Sequence, residues 1–161
     1  MKKNILLLIL VLVGCKNDLD KREAMNWWVE NEAVATTILN LLIKSPIIER
    51  VEANTRKELI KNYKDFNEST WLTYRQLEKI IKNDNKLEVV TFYDLEDVII
   101  LSLIIDRYGL SIAGCSLSIL YYSNDSLYEQ NSKKHAIYSE KLKPNWYLEI
   151  NGDKECIRHT K

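Results

Sequence analysis

Glycine and proline are scarce in this chain, which has four glycines and two prolines. Phosphate-binding loops need closely spaced glycines, because only glycine lets the backbone approach a phosphate without a steric penalty. The sequence has no glycine-rich phosphate loop, no nucleophile elbow and no metalloprotease helix. These absences argue most strongly against nucleotide enzymes and less against hydrolases, whose acids and bases can lie far apart in sequence. A non-enzymatic protein is therefore favoured over an enzyme, which is not excluded; no cofactor is expected and no catalytic residue is assigned.

An excess of one charge sign is also missing, since 23 basic side chains balance 23 acidic ones. Nucleic-acid-binding proteins carry a basic excess that neutralises phosphates. We therefore expect no nucleic-acid partner and no electrostatic attraction to an anionic membrane surface. The run from Ile5 to Val13 is apolar over nine residues, whereas a helix needs about 20 to cross a bilayer. It is too short for a membrane span.

The first fifteen residues have the three parts of an export signal. Lys2 and Lys3 give a positive start, an apolar segment follows, and a small residue precedes a cleavage site. The segment ends in a four-residue motif, Leu12, Val13, Gly14 and Cys15. This motif resembles the lipobox of bacterial lipoproteins, which has aliphatic residues, a small residue and then the cysteine that is modified. The resemblance is confined to residues 1–15.

The resemblance implies cleavage before Cys15 and a diacylglycerol thioether on that cysteine, with a further acyl chain on the new amino terminus. Two or more acyl chains anchor a protein stably, whereas one alone binds membranes only marginally. An ordinary secretory signal or a buried N-terminal helix is the alternative. Residues 1–14 would then be a signal peptide, 15–20 the lipidated cysteine with a short tether, and 21–161 one domain in the bacterial envelope. The domain would lie on the periplasmic face or on the cell surface of the outer membrane.

Removal of the signal would leave 161 − 14 = 147 residues, with 21 basic and 23 acidic side chains. The net charge would be about −2, which gives no electrostatic attraction to an anionic surface. Membrane lipid would therefore be bound through the acylated Cys15. Such a chain is long enough to bury a core without metal or disulfides.

Helical signals dominate the first half of the chain. Apolar residues recur at helical spacing from about Asp20 to Lys44, and we expect Trp27 and Trp28 there to be buried rather than to contact lipid. Four more helices are predicted: a short one from Pro46, a charge-rich one from Thr55 whose 56–64 surface is solvated, one from Thr73 to about Lys82, and one from Asp94 to Tyr108. The last segment is also β-branched enough for a buried strand.

Short β-rich runs separated by turn residues follow Gly109. The predicted strands are Leu110 to Tyr122, Leu127 to Gln130, His135 to Leu142, Trp146 to Ile150 and Lys154 to His159. Asn151-Gly152 is typical of a two-residue hairpin turn, and Gly114 is expected to mark a bulge. The predicted fold class is α+β, with a helical N-terminal half packed on a C-terminal antiparallel β-meander.

Cys115 and Cys156 are the cysteines besides Cys15. In an exported chain they form either a disulfide or two separately buried thiols, and separate thiols are the favoured interpretation because the sequence does not place the two within bonding distance. Four residues are candidate metal ligands: His135, Glu155, Cys156 and His159. Strand alternation places Cys156 on the face opposite Glu155 and His159, so a solvated hairpin end is favoured and no metal is expected.

Three tyrosines of the predicted sheet, Tyr122, Tyr138 and Tyr147, are candidate binding aromatics for a glycan or a protein. Cross-strand packing is the alternative and is the more usual role of aromatics in strands. The leading functional hypothesis is a membrane-tethered protein-binding module. By analogy, its most concrete form is an immunity-type protein that neutralises a toxin. A glycan- or peptidoglycan-binding lipoprotein is the second hypothesis. An envelope hydrolase is the third, with Glu129, Glu140 and Glu149 as positional candidates.

Overall fold

A six-stranded antiparallel sheet with two long helices on one face forms the fold. The computed structural model describes residues 20–108, 114–130, 132–152 and 156. The helices are α1 (Lys21–Ile43), α2 (Glu68–Asn83) and α3 (Asp125–Gln130). The strands are β1 (Arg50–Glu52), β2 (Val89–Leu95), β3 (Val98–Tyr108), β4 (Cys115–Tyr122), β5 (Tyr138–Lys143) and β6 (Trp146–Asn151). The strand order is β1-β2-β3-β4-β6-β5, so the α+β arrangement with N-terminal helices and a C-terminal meander is confirmed.

Asp20 caps helix α1, which begins at Lys21, close to the start predicted from the sequence. The Asp20 carboxylate accepts hydrogen bonds from the backbone N–H groups of Arg22, at 2.9 Å, and Glu23, which satisfies donors left free in the first turn. Trp27 and Trp28 are buried, as predicted, and Trp28 lies 4.9 Å from the Trp146 ring between ring centroids. Among the described residues, none of the helices is both long and apolar enough to cross a bilayer.

Helix α2 begins earlier than the sequence predicts. Asn67 caps it by accepting a hydrogen bond from the Thr70 backbone N–H at 2.8 Å, and the predicted cap, Thr73, lies inside the helix with its hydroxyl bonded to the Ser69 carbonyl. Asparagine caps a helix better than threonine does, so the upstream start prevails. The buried stripe of Tyr74, Leu77 and Ile81 faces the sheet.

Two predicted N-terminal helices are wrong. The segment from Pro46 forms a turn that leads into β1, because Val51 pairs with Val90 of β2 and is fully buried there. The segment from Thr55 contains only two short 3₁₀ turns, Lys57–Leu59 and Tyr63–Asp65. Asn62 between them has a φ of 60°, a left-handed conformation that interrupts a right-handed helix.

The predicted helix from Asp94 to Tyr108 is also wrong, since these residues belong to β2 and β3, which form a hairpin. Strand β3 lies between β2 and β4 and buries side chains on both faces, for example Leu103 on the helical side and Val98 on the other. A central strand buries its apolar β-branched side chains on both faces in this way. The bulge lies in β3, between Ile104 and Asp106, and not at Gly114, which precedes β4.

The remaining C-terminal predictions differ in outcome. The predicted strand Leu127 to Gln130 is wrong, because Asn124 accepts hydrogen bonds from the backbone of Ser126 and Leu127 and starts α3. Strand β4 lies within the segment predicted for it, and β5 and β6 each end one residue beyond theirs. Of the predicted last strand, only Cys156 is among the described residues. Both sheet edges resist pairing with other chains, since β1 is three residues long and β5 carries lysines.

Candidate functional site

The two faces of the sheet differ in what covers them. Helices α1 and α2 pack on the inner face and form the main core with it. The outer face is divided. The half formed by β4 and β6 lies under α3, where Tyr128 packs with Leu120 and Tyr147. The half formed by β2 and the first part of β3 has no described helix over it, and Tyr93 and Leu95 are exposed there.

The three candidate tyrosines do not form a shared exposed platform. Tyr122 and Tyr147 are 4% and 1% exposed, and both pack against Tyr128, whose ring stacks on Tyr147 at 3.5 Å between centroids. Tyr138 projects to the inner side, where it is half-buried, with the Lys21 ammonium 4.4 Å from its ring centre. The expectation of three binding aromatics is therefore wrong for Tyr122 and Tyr147, because α3 covers them.

A buried polar network lies beneath α3. The Glu149 side chain is 4% exposed, and its carboxylate accepts hydrogen bonds from the Tyr128 hydroxyl at 2.6 Å and the Asn151 amide at 3.2 Å. The Ser139 hydroxyl also bonds to Tyr128. Burial raises the pKa of Glu149, and the two hydrogen bonds oppose that rise. The network closes off the carboxylate from any substrate-sized cleft.

The three carboxylates of the hydrolase hypothesis are held apart. Glu129 forms an ion pair with Lys133, and Glu140 accepts a hydrogen bond from the Tyr138 hydroxyl. Glu140 pairs in register with Leu148 of the inner face, whereas Glu149 faces outward beneath α3. They do not converge on one cleft, which a pair of acid and base groups requires.

The disulfide joins Cys115, at the start of β4, to Cys156. The two Cα atoms are 5.5 Å apart. Gly152 makes this approach possible, because it has a φ of 140° and a Cβ there would lie 2.4 Å from the Cys156 sulfur. Cys156 is thereby unavailable as a metal ligand, while Glu155 and His159 lie outside the described residues. Within the part of the chain that the structure describes, no group of three or more metal-ligating side chains occurs.

We use the name open outer face for Thr91, Tyr93 and Leu95 of β2 together with Ile100 and Ser102 of β3. Tyr93 and Leu95 are 48% and 51% exposed, and the three others are partly exposed. Large apolar side chains clustered on a surface in this way mark interaction sites more often than single exposed ones do. This surface was not predicted from the sequence, because residues from Asp94 onward have the pattern of a helix.

Acidic residues border the open outer face. Asp94, Glu96 and Asp97 surround the turn between β2 and β3, and we call residues 94–97 the acidic hairpin. All three side chains are exposed, and no ion pair of theirs occurs within the described residues. Other exposed acids of the β-rich half, such as Glu88 and Glu129, have a basic partner. The acidic hairpin therefore offers uncompensated negative charge beside an apolar surface.

A small pocket lies on the helical side of the sheet. Residues of α2 form one wall of the pocket, and the segment 55–60 forms the opposite wall. Its volume is about 270 Å³, roughly nine times the ~30 Å³ that a water molecule occupies in the liquid. The lining residues are Thr55, Lys57, Ile60, Trp71, Tyr74, Arg75 and Glu78.

The Tyr74 hydroxyl in this pocket is buried and has no hydrogen bond of ordinary geometry within the described residues. Burial raises the pKa of Tyr74, the Glu78 and Glu52 carboxylates add to the rise, and a long hydrogen-bonding interaction with the Thr55 hydroxyl opposes it. Buried hydroxyl groups are almost always paired. A poorly paired one costs free energy in the folded protein.

Replacing Tyr74 by phenylalanine should therefore stabilise the free protein. We expect the free energy of unfolding to rise by about 1 kcal/mol, because the change removes an unsatisfied buried hydroxyl and keeps the ring in place. Urea denaturation followed by far-UV circular dichroism measures the change. A loss of stability would show that the hydroxyl has a hydrogen-bond partner in the folded protein.

Comparison with known proteins adds no assignment: no family model matches the chain, and no curated protein or solved structure matches it. The function is therefore argued from the surfaces described above.

Proposed function

We propose that this chain is a membrane-anchored protein-binding module of the bacterial envelope, and that it binds its partner through the open outer face. The observation that carries the proposal is the pairing of Tyr93 and Leu95 with the uncompensated acidic hairpin. Protein interfaces combine an apolar centre with a polar rim, and charge on the rim selects a partner of the opposite sign. The partner we expect is a protein with apolar residues inside a basic rim. A toxin neutralised by an immunity-type protein is its most concrete form.

The lipobox-like motif at residues 12–15 supports the anchored part of the proposal. A disulfide between Cys115 and Cys156 fits an exported chain, since disulfides persist in oxidising compartments such as the periplasm and are rare in the cytosol. The glycan-binding alternative has less support, because Tyr122 and Tyr147 are buried.

The strand registers support an orientation in which an anchored domain would present the acidic hairpin away from the membrane. Lys21, at the start of α1, lies over Tyr138, and Tyr138 is joined through Ile150 and Leu117 to Asp106 of β3. The acidic hairpin adjoins the other end of β3, at Val98. Eight residues of strand separate the two ends, or about 26 Å.

A tether from Cys15 to Asp20 would reach at most about 18 Å. The end of the sheet at which α1 begins would therefore lie near the bilayer, and the acidic hairpin would lie at the far end. A binding surface in that place is accessible to a partner arriving from the compartment, and the bilayer does not hinder it.

Replacing Cys15 by serine tests the anchor. We expect the variant to leave the membrane fraction while the domain keeps its circular dichroism spectrum and melting temperature, because the lipid contributes anchoring and no part of the core. Fractionation of cells and radiolabelled palmitate incorporation measure the effect. A variant that still sediments with membranes and resists high salt would show that something other than the acyl chains holds the protein.

Replacing Leu95 by arginine tests the binding surface. The change places a cation at the hairpin end of the open outer face, where Leu95 is half exposed, and we expect retention of the partner in crosslinking experiments to fall at least tenfold, about 1.4 kcal/mol or more. Leu72→Arg is the matched control, because Leu72 is 60% exposed on α2, far from this face. The measurement is quantitative mass spectrometry of crosslinked material from intact cells.

Charge is tested separately with Asp94→Lys and Glu96→Lys. If the rim selects a basic partner, reversal should lower retention of the same protein and also reduce the dependence of that retention on salt. Equal retention of the partner by Leu95→Arg, Leu72→Arg and the wild type would mean that the protein does not bind a partner through the open outer face.

A further inference from the structure

Another pocket lies at the β1 edge of the sheet, where it adjoins the open outer face. It is formed between β1 and the segment 59–61, and its volume is about 400 Å³. We call this cavity the edge pocket. Tyr93 of β2 lines it and also belongs to the open outer face, so the two surfaces are continuous. The apolar surface of the proposed binding site therefore extends past Tyr93 into a concave region.

The apolar lining of the edge pocket is open to a partner. Leu59 is 74% exposed, although the next residue, Ile60, is buried in the main core. Because Ile60 holds this segment against the sheet, a partner that covers Leu59 finds a largely preformed surface, and little has to be ordered on binding. Covering Leu59 and Tyr93 removes apolar area from water, which favours association.

The charged residues that line the edge pocket are paired with one another. The Lys61 ammonium lies 2.5 Å from one oxygen of the Glu49 carboxylate, and the Asn62 amide donates a hydrogen bond to the other oxygen at 3.3 Å. The Arg50 guanidinium bonds to the Glu52 carboxylate. A charged group that entered the pocket would therefore lose hydration and find no free counter-charge among the lining residues. An apolar group would leave both ion pairs intact.

We propose that the edge pocket receives one large apolar side chain, aromatic or branched aliphatic, that projects from the protein bound at the open outer face. The inference rests on the proposed function and names the group of the partner that would anchor the complex. Side chains that fill a pocket in this way carry much of the binding energy of protein interfaces. The anchor would contact Leu59 and Tyr93, while basic residues of the same partner meet the acidic hairpin.

Replacing Leu59 by glutamine tests the edge pocket. The lipidated protein is crosslinked in intact cells, and the amount of partner it retains is measured by quantitative mass spectrometry. We expect retention to fall at least fivefold, because an amide beside the apolar anchor would be desolvated without a hydrogen-bond partner. Leu72→Gln is the matched control, since Leu72 is also an exposed leucine, and Leu59→Met keeps the position apolar. Both should stay within twofold of the wild type.

A benzophenone-bearing phenylalanine at position 59 identifies the occupant. On irradiation it bonds to the side chains in contact with it, and mass spectrometry of the crosslinked peptide shows which residue of the partner lies there. We expect phenylalanine, tyrosine, tryptophan, leucine, isoleucine or methionine at that point.

The outcomes separate this inference from the proposed function. A charged residue at the crosslink, or equal retention by Leu59→Gln and Leu72→Gln, would overturn the edge-pocket inference, and the proposed function would stand if Leu95→Arg still lowers retention. Retention that neither Leu59→Gln nor Leu95→Arg lowers, or a wild type that retains no protein, would contradict both.

Discussion

Replacing Cys115 and Cys156 together by alanine should lower the free energy of unfolding by about 4 kcal/mol, although the disulfide between them was not the favoured prediction. The disulfide joins residues 41 positions apart, and in the loop-closure description a cross-link of that span removes roughly 13 cal/mol/K of entropy from the unfolded chain, which is about 4 kcal/mol at 25 °C. The folded state loses little, since β4 and β6 stay paired through their own backbone hydrogen bonds. The effect therefore arises mainly in the unfolded state.

Urea denaturation of the wild type and of the double alanine variant, both carrying Cys15→Ser, measures this effect. The wild type with its disulfide reduced is the matched control, because it has the same side chains without the cross-link. We expect the reduced wild type and the double variant to unfold at similar urea concentrations, both well below that of the oxidised protein. Equal midpoints for all three would mean that the cross-link does not form in solution.

Helix α1 was predictable because several local signals agree there. Asp20 provides the cap, the apolar residues recur at helical spacing, and Pro46 follows the end. Agreement of cap, periodicity and stop signal makes a local prediction reliable. The antiparallel strands β5 and β6 were predictable for a similar reason, since both alternate and are bounded by turn residues.

The β2–β3 hairpin was not predictable from the same kind of reasoning. Asp94 and Gly109 have the residue types of helix ends, and the apolar run between them is as compatible with a buried helix as with a buried strand. What decides is tertiary: β3 has neighbouring strands on both sides, and its two faces are covered by different parts of the chain. No local signal contains that information.

The candidate surfaces were missed as consequences of these errors. With residues 94–108 assigned to a helix, the alternation that exposes Tyr93 and Leu95 could not be seen. With α3 assigned to a strand, nothing covered Tyr147, so its exposure remained open. The pocket escaped for a different reason: Lys57 belongs to a charge-rich segment that reads as solvated, and its position over the Trp71 ring depends on how the 3₁₀ turns pack on α2.

Tyr128→Phe should destabilise the protein by about 2–3 kcal/mol at neutral pH, in contrast to Tyr74→Phe, because here the lost hydroxyl serves a buried carboxylate. Glu149 would keep only the 3.2 Å bond from Asn151, and a buried charged group that loses a donor costs more than a neutral one. Tyr122→Phe is the control in the same cluster. Its hydroxyl makes no hydrogen bond within the described residues, and we expect a change below about 0.5 kcal/mol.

The pH dependence of the Tyr128→Phe effect distinguishes a charged Glu149 from a neutral one. Burial raises the pKa of Glu149 in the folded protein above its unfolded value, and the Tyr128 hydrogen bond lowers it, so the variant raises that pKa further. A group with a raised folded-state pKa contributes stability below its unfolded pKa, near 4.5, and loses it as the pH rises through the folded pKa. The difference in stability between wild type and variant should therefore be small near pH 4.5 and widen toward pH 8.

Urea denaturation at several pH values between 4.5 and 8 measures this difference, and Glu149→Gln provides the second comparison. Glutamine still accepts a hydrogen bond from Tyr128 but has no charge to desolvate, so in that background we expect the effect of Tyr128→Phe to be smaller and independent of pH. A constant difference across the range in the wild-type background would mean that Glu149 keeps its proton when folded. The network would then be a set of neutral hydrogen bonds, and its contribution to stability would owe nothing to a buried charge.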